Sequence, residues 1–138
     1  MVIVYGEPMG KQRPKFSSFG GFTKTYTPAK TTNYETLVKY EYSRQDGIHH
    51  QNKAVKLVLR AYYNIPKSFS KKKREMALNG NIRPKKKPDL DNIEKIICDA
   101  LNKIAYDDDC QVVEVVKSKL YDNVPRVEFE IMEVEEIE

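Results

Sequence analysis

The sequence predicts an α+β protein built as a two-layer sandwich, with one mixed sheet of about five strands and about three helices packed on one face. Three patterns carry that expectation. Ile93, Ile96, Ile97, Ala100, Leu101 and Ile104 recur at i, i+3, i+4, i+7, i+8 and i+11, the stripe of a helix with one buried face. Val55, Leu57, Leu59, Ala61 and Tyr63 alternate through 54–63, the period of a strand with one buried side. A valine-rich run, 111–121, follows the helical stripe and reads as another long strand. These patterns leave the strand order open.

At 138 residues the chain suits one domain, 1–138, large enough to bury a core. With 40% hydrophobic and 32% charged residues it reads as globular rather than disordered. No apolar run approaches the roughly 20 residues that span a bilayer, and no signal peptide is visible, which predicts a cytoplasmic protein. Cys98 and Cys110 fit no metal or redox spacing, in keeping with a reducing compartment. The net charge of +4 understates an asymmetry. Between Lys67 and Lys87 lie nine Lys or Arg against one acid, Glu75, whereas the last eleven residues carry six Glu and no base. Such a chain offers a cationic side to a polyanion and turns an acidic tail elsewhere.

Residues 2–5 form a first short strand and lead into a basic loop punctuated by Gly and Pro, residues 6–16. Its Lys11, Arg13 and Lys15 are candidate phosphate contacts, or else solvent charges on a loop. Residues 17–23 read as a hairpin tip and 24–27 as the returning strand. Pro28, Thr31 and Thr32 open a helix to about Gln45 with Tyr34, Leu37, Val38 and Tyr42 as its buried stripe. In the loop that follows, His49 and His50 are adjacent, point apart and make a poor chelating pair. After strand 54–63, Pro66 and Ser68 begin a short helix stopped by Asn79-Gly80. Lys71, Lys72, Lys73 and Arg74 lie on it, and Arg83, Lys85, Lys86 and Lys87 follow; all are candidate phosphate-backbone contacts, or else a solvated charged face. Lys117, Ser118 and Lys119, at the polar end of the valine-rich strand, are placed to lie near DNA too. Asp122-Asn123 then turns the chain into a last strand, in which Val127, Phe129 and Ile131 alternate with Glu128 and Glu130.

The stretch from Lys87 to Val112 holds the candidate chemistry. Asp89 and Asp91 open it, the helix follows, and Asp107, Asp108 and Asp109 close it. Pro88 steers Lys87 away from helical backbone, so the chain should arrive extended and project Asp89 and Asp91 to one side. Paired carboxylates repel unless a proton or cation intervenes. A hard cation such as Mg²⁺ takes carboxylate, water and phosphate oxygens, and so placed it polarises a phosphodiester and activates water. Lys95, one helical turn past Asp91, is positioned to meet a phosphate or a developing charge. The same residues also fit a plain helix start: Asp91 and Glu94 have the spacing of a capping box, and three aspartates make an ordinary polar turn.

The string K-P-D-L-D-N, a lysine three residues on, then D-A-L and D-D-x-Q-V, resembles the signature of the RusA family of Holliday junction resolvases. The strong part covers 84–112, and G-x-P-x-x-K-x-R-P from Gly6 to Pro14 resembles the opening of phage-type members. The resemblance implies a homodimeric, Mg²⁺-dependent endonuclease (Mn²⁺ substituting) that resolves four-way DNA junctions by paired hydrolysis, encoded by a phage or prophage. Carried over by position, the metal-binding and catalytic acids fall on Asp89, Asp91 and Asp109, the last counted back from Gln111, and the catalytic lysine falls on Lys95. A non-catalytic nucleic-acid-binding protein and a broader nuclease of forks and flaps are the alternatives.

Overall fold

The computed structural model describes residues 1–12 and 28–137 with their side chains, and the backbone of Lys15–Phe19 and Phe22–Tyr26. The helical stripe becomes α3, whose Ile93, Ile96, Ile97, Ala100 and Leu101 are all fully buried; in chain order the elements are β1 (Val2–Tyr5), β2 (Lys15–Phe19), β3 (Phe22–Tyr26), α1 (Ala29–Gln45), β4 (Val55–Asn64), α2 (Lys71–Leu78), α3 (Leu90–Leu101), β5 (Val112–Asp122) and β6 (Arg126–Glu133). A single turn of 3-10 helix, Asp109–Gln111, joins α3's exit to β5.

The sheet runs β1-β6-β4-β5. β6 pairs antiparallel with both β1 and β4, while β5 lies parallel to β4, with α2 and α3 in the crossover between them. β4 alternates as expected, burying Val55, Leu57, Leu59, Ala61 and Tyr63 against the helices. Residues paired across a ladder share a face. The β5 partners of Leu59 and Ala61 are Lys117 and Lys119, so two lysines of the edge strand point to the helix side of the sheet. α1 adds Tyr34, Val38 and Tyr42 to the core, with Tyr42 stacked on Phe129 at 6.3 Å.

The α+β class and three helices hold, with these differences. The sheet has four strands rather than five, because among the described residues β2 and β3 pair only with each other. They extend over residues that read as a hairpin tip; Thr27 of the expected strand lies outside the described residues. α2 starts at Lys71, three residues later than Ser68, because Ser70 caps it by accepting from the Lys73 N–H at 3.2 Å. Leu37 is 40% exposed, since the buried face of α1 runs through Thr31, Tyr34, Val38 and Tyr42.

The N-terminal loop lies across the start of α3. The Lys11 N–H donates to the Asn92 carbonyl at 3.0 Å, and a Cβ on Gly10 would meet the Cβ atoms of Pro88 and Asn92 at 2.8 and 3.0 Å. Only glycine permits that approach. Gly10→Ala is therefore expected to lower stability by about 1–3 kcal/mol through overpacking, measured by urea unfolding. An unchanged midpoint would show that the loop yields freely.

Candidate active site

Asp91, Glu94, Lys95, Cys98 and Asp99 occupy the flank of α3 beside its buried stripe, following the i, i+3, i+4, i+7, i+8 spacing of one helix side. They line a groove closed by Asp109, Val112 and Val115. Three residues that the resemblance implicates, Asp91, Lys95 and Asp109, thus share one groove. From the β5 side, the Lys117 ammonium donates to Asp91 Oδ1 at 2.6 Å and to Glu94 Oε1 at 2.9 Å. The Lys117 hydrogen bond holds the Asp91 carboxyl below its usual range. Asp91 and then Glu94 raise the lysine in return. Lys95 is 63% exposed, and its ammonium stands 3.8 Å from Asp99 Oδ2.

Asp89 goes elsewhere. The helix begins at Leu90, so Asp89 is its extended N-cap residue and Asp91 is already helical. The i, i+2 alternation that would put both acids on one side therefore does not apply. Neither acid forms the expected capping box, since Asp91 is not the N-cap and Asp89 makes no side-chain cap bond. Asp89 lines the adjoining cleft with Pro8, Met9, Gly10, Gln12 and Asn92. Tyr63, at the end of β4, fixes this corner by donating its hydroxyl to the Pro88 carbonyl at 2.6 Å. Burial, reinforced by the Asp89 charge, pushes the Tyr63 hydroxyl up to about 12.

The three consecutive aspartates divide their tasks. Asp107 takes a bond from the Asn52 N–H at 3.0 Å and pairs with His49 Nε2 at 2.7 Å. The Asp107 and Asp108 N–H groups both donate to Gln111 Oε1, at 2.7 and 3.0 Å, and Asp108 completes a capping box with Gln111. The Gln111 amide in turn donates to the His50 and Lys53 carbonyls, each at 2.9 Å. Two aspartates hold the turn, and Asp109 faces the groove.

The basic residues fall into two groups. Lys71, Lys72, Lys73, Lys85, Lys86 and Lys87 are exposed, a basic path along the chain from α2 to Asp89. Others bond the protein's own backbone or acids, or are partly covered. Arg83 donates to the Gly80 and Lys119 carbonyls, Arg74 is half-buried, and Lys119 donates to the Lys86 carbonyl, which anchors the path on β5. Lys11 is largely covered and bonds Glu35 at 2.8 Å and Asp99 at 3.2 Å. Burial pulls its pKa down, but the two carboxylates outweigh that and leave it raised. Arg13 lies outside the described residues. Sequence reasoning missed Glu94 and Asp99 as groove residues and Lys117 as the partner of Asp91. The first two were legible in the helical spacing from Asp91, whereas Lys117 depends on the β4–β5 register.

A model of the endodeoxyribonuclease RusA family matches residues 5–132, nearly the whole chain. The chain belongs to the RusA family. It is also similar to the uncharacterized protein YqaN of Bacillus subtilis (strain 168), being 41% identical over 133 residues, which cover 95% of this chain and 94% of that one. RusA nucleases are metal-dependent endodeoxyribonucleases that act on branched DNA. The donor set of the groove fits a hard cation. Asp91, Glu94 and Asp109 offer it oxygens, and an ammonium already stands between two of them. Among the described residues, however, no three His, Cys, Asp or Glu side chains converge as a finished cage. No helix among them is long and apolar enough to cross a membrane.

The His49–Asp107 pair makes the turn pH-sensitive. Asp107, and then the Ile104 carbonyl, raise the His49 pKa above its ordinary 6.5. His49, and then the Asn52 N–H, lower Asp107 below its ordinary 3.8. The histidine contribution is complete below pH 6.5 and fades as pH rises through the folded value. The aspartate contribution is complete above pH 3.8 and fades as pH falls through its own folded value. The pair is thus fully effective between the two. His49→Gln should remove a decline in melting temperature between pH 6 and 8 that the unsubstituted protein shows; identical pH slopes for the two proteins would refute this.

Proposed function

We propose that this chain resolves four-way DNA junctions as a homodimer, using Mg²⁺ (or Mn²⁺) to hydrolyse paired phosphodiesters. The observation that carries the reading is the groove that brings Asp91, Lys95 and Asp109 together at the end of an exposed basic path. Asp91 and Asp109, with Asp89 from the adjoining cleft, would hold the metal. Bound there, it supplies a polarised phosphate and an activated water. Lys95, steadied by Asp99, neutralises charge on the scissile phosphate or the leaving oxygen. The exposed lysines 71–73 and 85–87 draw in the arms of the junction. A symmetric dimer matches two such sites to two strands of a symmetric substrate.

The choice of Asp109 over Asp108 is supported by the lining of the groove, which includes Asp109 and not Asp108. Asp91→Asn and Asp109→Asn are expected to abolish nicking of a synthetic four-way junction in Mg²⁺ while junction binding persists or tightens. Asp108→Asn should retain cleavage. Activity in Asp91→Asn above a small fraction of the unsubstituted level would overturn the metal assignment. Binding without cleavage by the unsubstituted protein would instead mark a non-catalytic binder. Forks, flaps and linear duplex run beside the junction distinguish a broader debranching nuclease.

Replacing Lys85, Lys86 and Lys87 with Ala should weaken binding to every DNA shape and flatten the salt dependence by about 0.9 in log–log slope per lost phosphate contact. An unchanged slope would place the DNA path elsewhere.

A further inference from the structure

Lys117 stands where the reaction needs a cation. Its strand and its register fix this: β5 is the edge strand beside β4, and the partner of buried Leu59 is Lys117, which therefore faces the helices. Its side chain is 26% exposed, whereas that of Asp91 is 90% exposed. The ammonium is therefore held from the sheet side, and the carboxylate remains open to solvent and to an arriving ligand. One ammonium answers two carboxylates a helical turn apart, at 2.6 and 2.9 Å. Lys95, in the same groove, bonds neither of them and pairs with Asp99 instead.

We propose that Lys117 is the resident counter-cation of the groove, which a divalent cation must displace from Asp91 before the site is loaded. The inference rests on the reading of Asp91 as a metal ligand. Ammonium and metal cannot both take Asp91 Oδ1 at contact distance, so the two compete. Glu94 gives the ammonium somewhere to stay, because it retains that bond while giving up Asp91. The two positive charges then remain near each other, so loading is favoured when a phosphate arrives to offset them. The bridge also offsets the repulsion between Asp91 and Glu94, since one ammonium stands between the two carboxylates.

The test uses the full chain without DNA and Mn²⁺ as the probe, with bound metal followed by electron paramagnetic resonance at physiological ionic strength. Lys117→Met should bind Mn²⁺ about fivefold tighter or more, the scale of one unit-charge contact in water. Lys95→Met removes the same charge from the same groove without touching Asp91, and should gain clearly less. Equal gains would reduce the effect to the general field and overturn the proposal, as would an unchanged or weakened affinity in Lys117→Met. Asp91→Asn separates the two levels of argument. If it binds Mn²⁺ as well as the unsubstituted protein, the metal reading falls and takes this proposal with it. If it loses the metal while Lys117→Met gains nothing, only the Lys117 proposal falls. A second measurement needs no variant: acetylation of the unsubstituted protein, read by mass spectrometry, should speed up at Lys117 when Mn²⁺ saturates the site. Labelling of Lys117 that is indifferent to Mn²⁺ would contradict displacement.

Discussion

Like charges along one helix flank are the constraint around which this protein is arranged. Asp91, Glu94 and Asp99 repel one another on α3 and are answered from three places: Lys117 on β5 meets the first two, and Lys11 from the N-terminal loop and Lys95 on the helix itself meet Asp99. These pairs do not hold the helix on the sheet. Burial does that, since each fully buried large aliphatic side chain such as Ile93, Ile96, Ile97 or Leu101 is worth about 1.5–3 kcal/mol, while exposed ion pairs add little. What the pairs decide is orientation. They point carboxylates into a groove and keep them there at small cost.

The corner around Pro88 works differently, through contact rather than charge. Tyr63 holds the Pro88 carbonyl from the end of β4, and Gly10 packs against the Pro88 ring and Asn92. Asp89 is thereby fixed at the cap of α3, in the cleft next to the groove rather than in it. The loop that brings Gly10 also delivers Lys11 to Asp99 and Glu35. A basic loop that resembles a phosphate grip in sequence thus spends one of its lysines on tying α1 to α3.

The basic path has the same double character. Arg83 and Lys119 bond backbone carbonyls and fix the segment before Asp89 to β5, while Lys85, Lys86 and Lys87 remain exposed. On the proposed function, a polyanion drawn to these lysines would go on to meet the carboxylates of α3, as suits a nuclease that must attract a phosphate backbone before cutting it.

The sequence by itself determined the helix and strand periods, because burial on one face imposes spacings of 3.6 and 2 that survive any tertiary arrangement. The α3 stripe and the β4 alternation were legible for that reason, and the K-P-D-L-D-N string was legible as a resemblance to the family that the match confirms. The tertiary structure alone decided who meets whom. A cap shifted by two residues, with Asp89 rather than Asp91 outside the helix, turned the two acids into neighbouring clefts. The parallel register of β5 on β4, set by long-range pairing, carried Lys117 under Asp91 across 26 residues of chain. Local pattern records which side of an element is buried; it holds no information about which distant charge will stand opposite the other side.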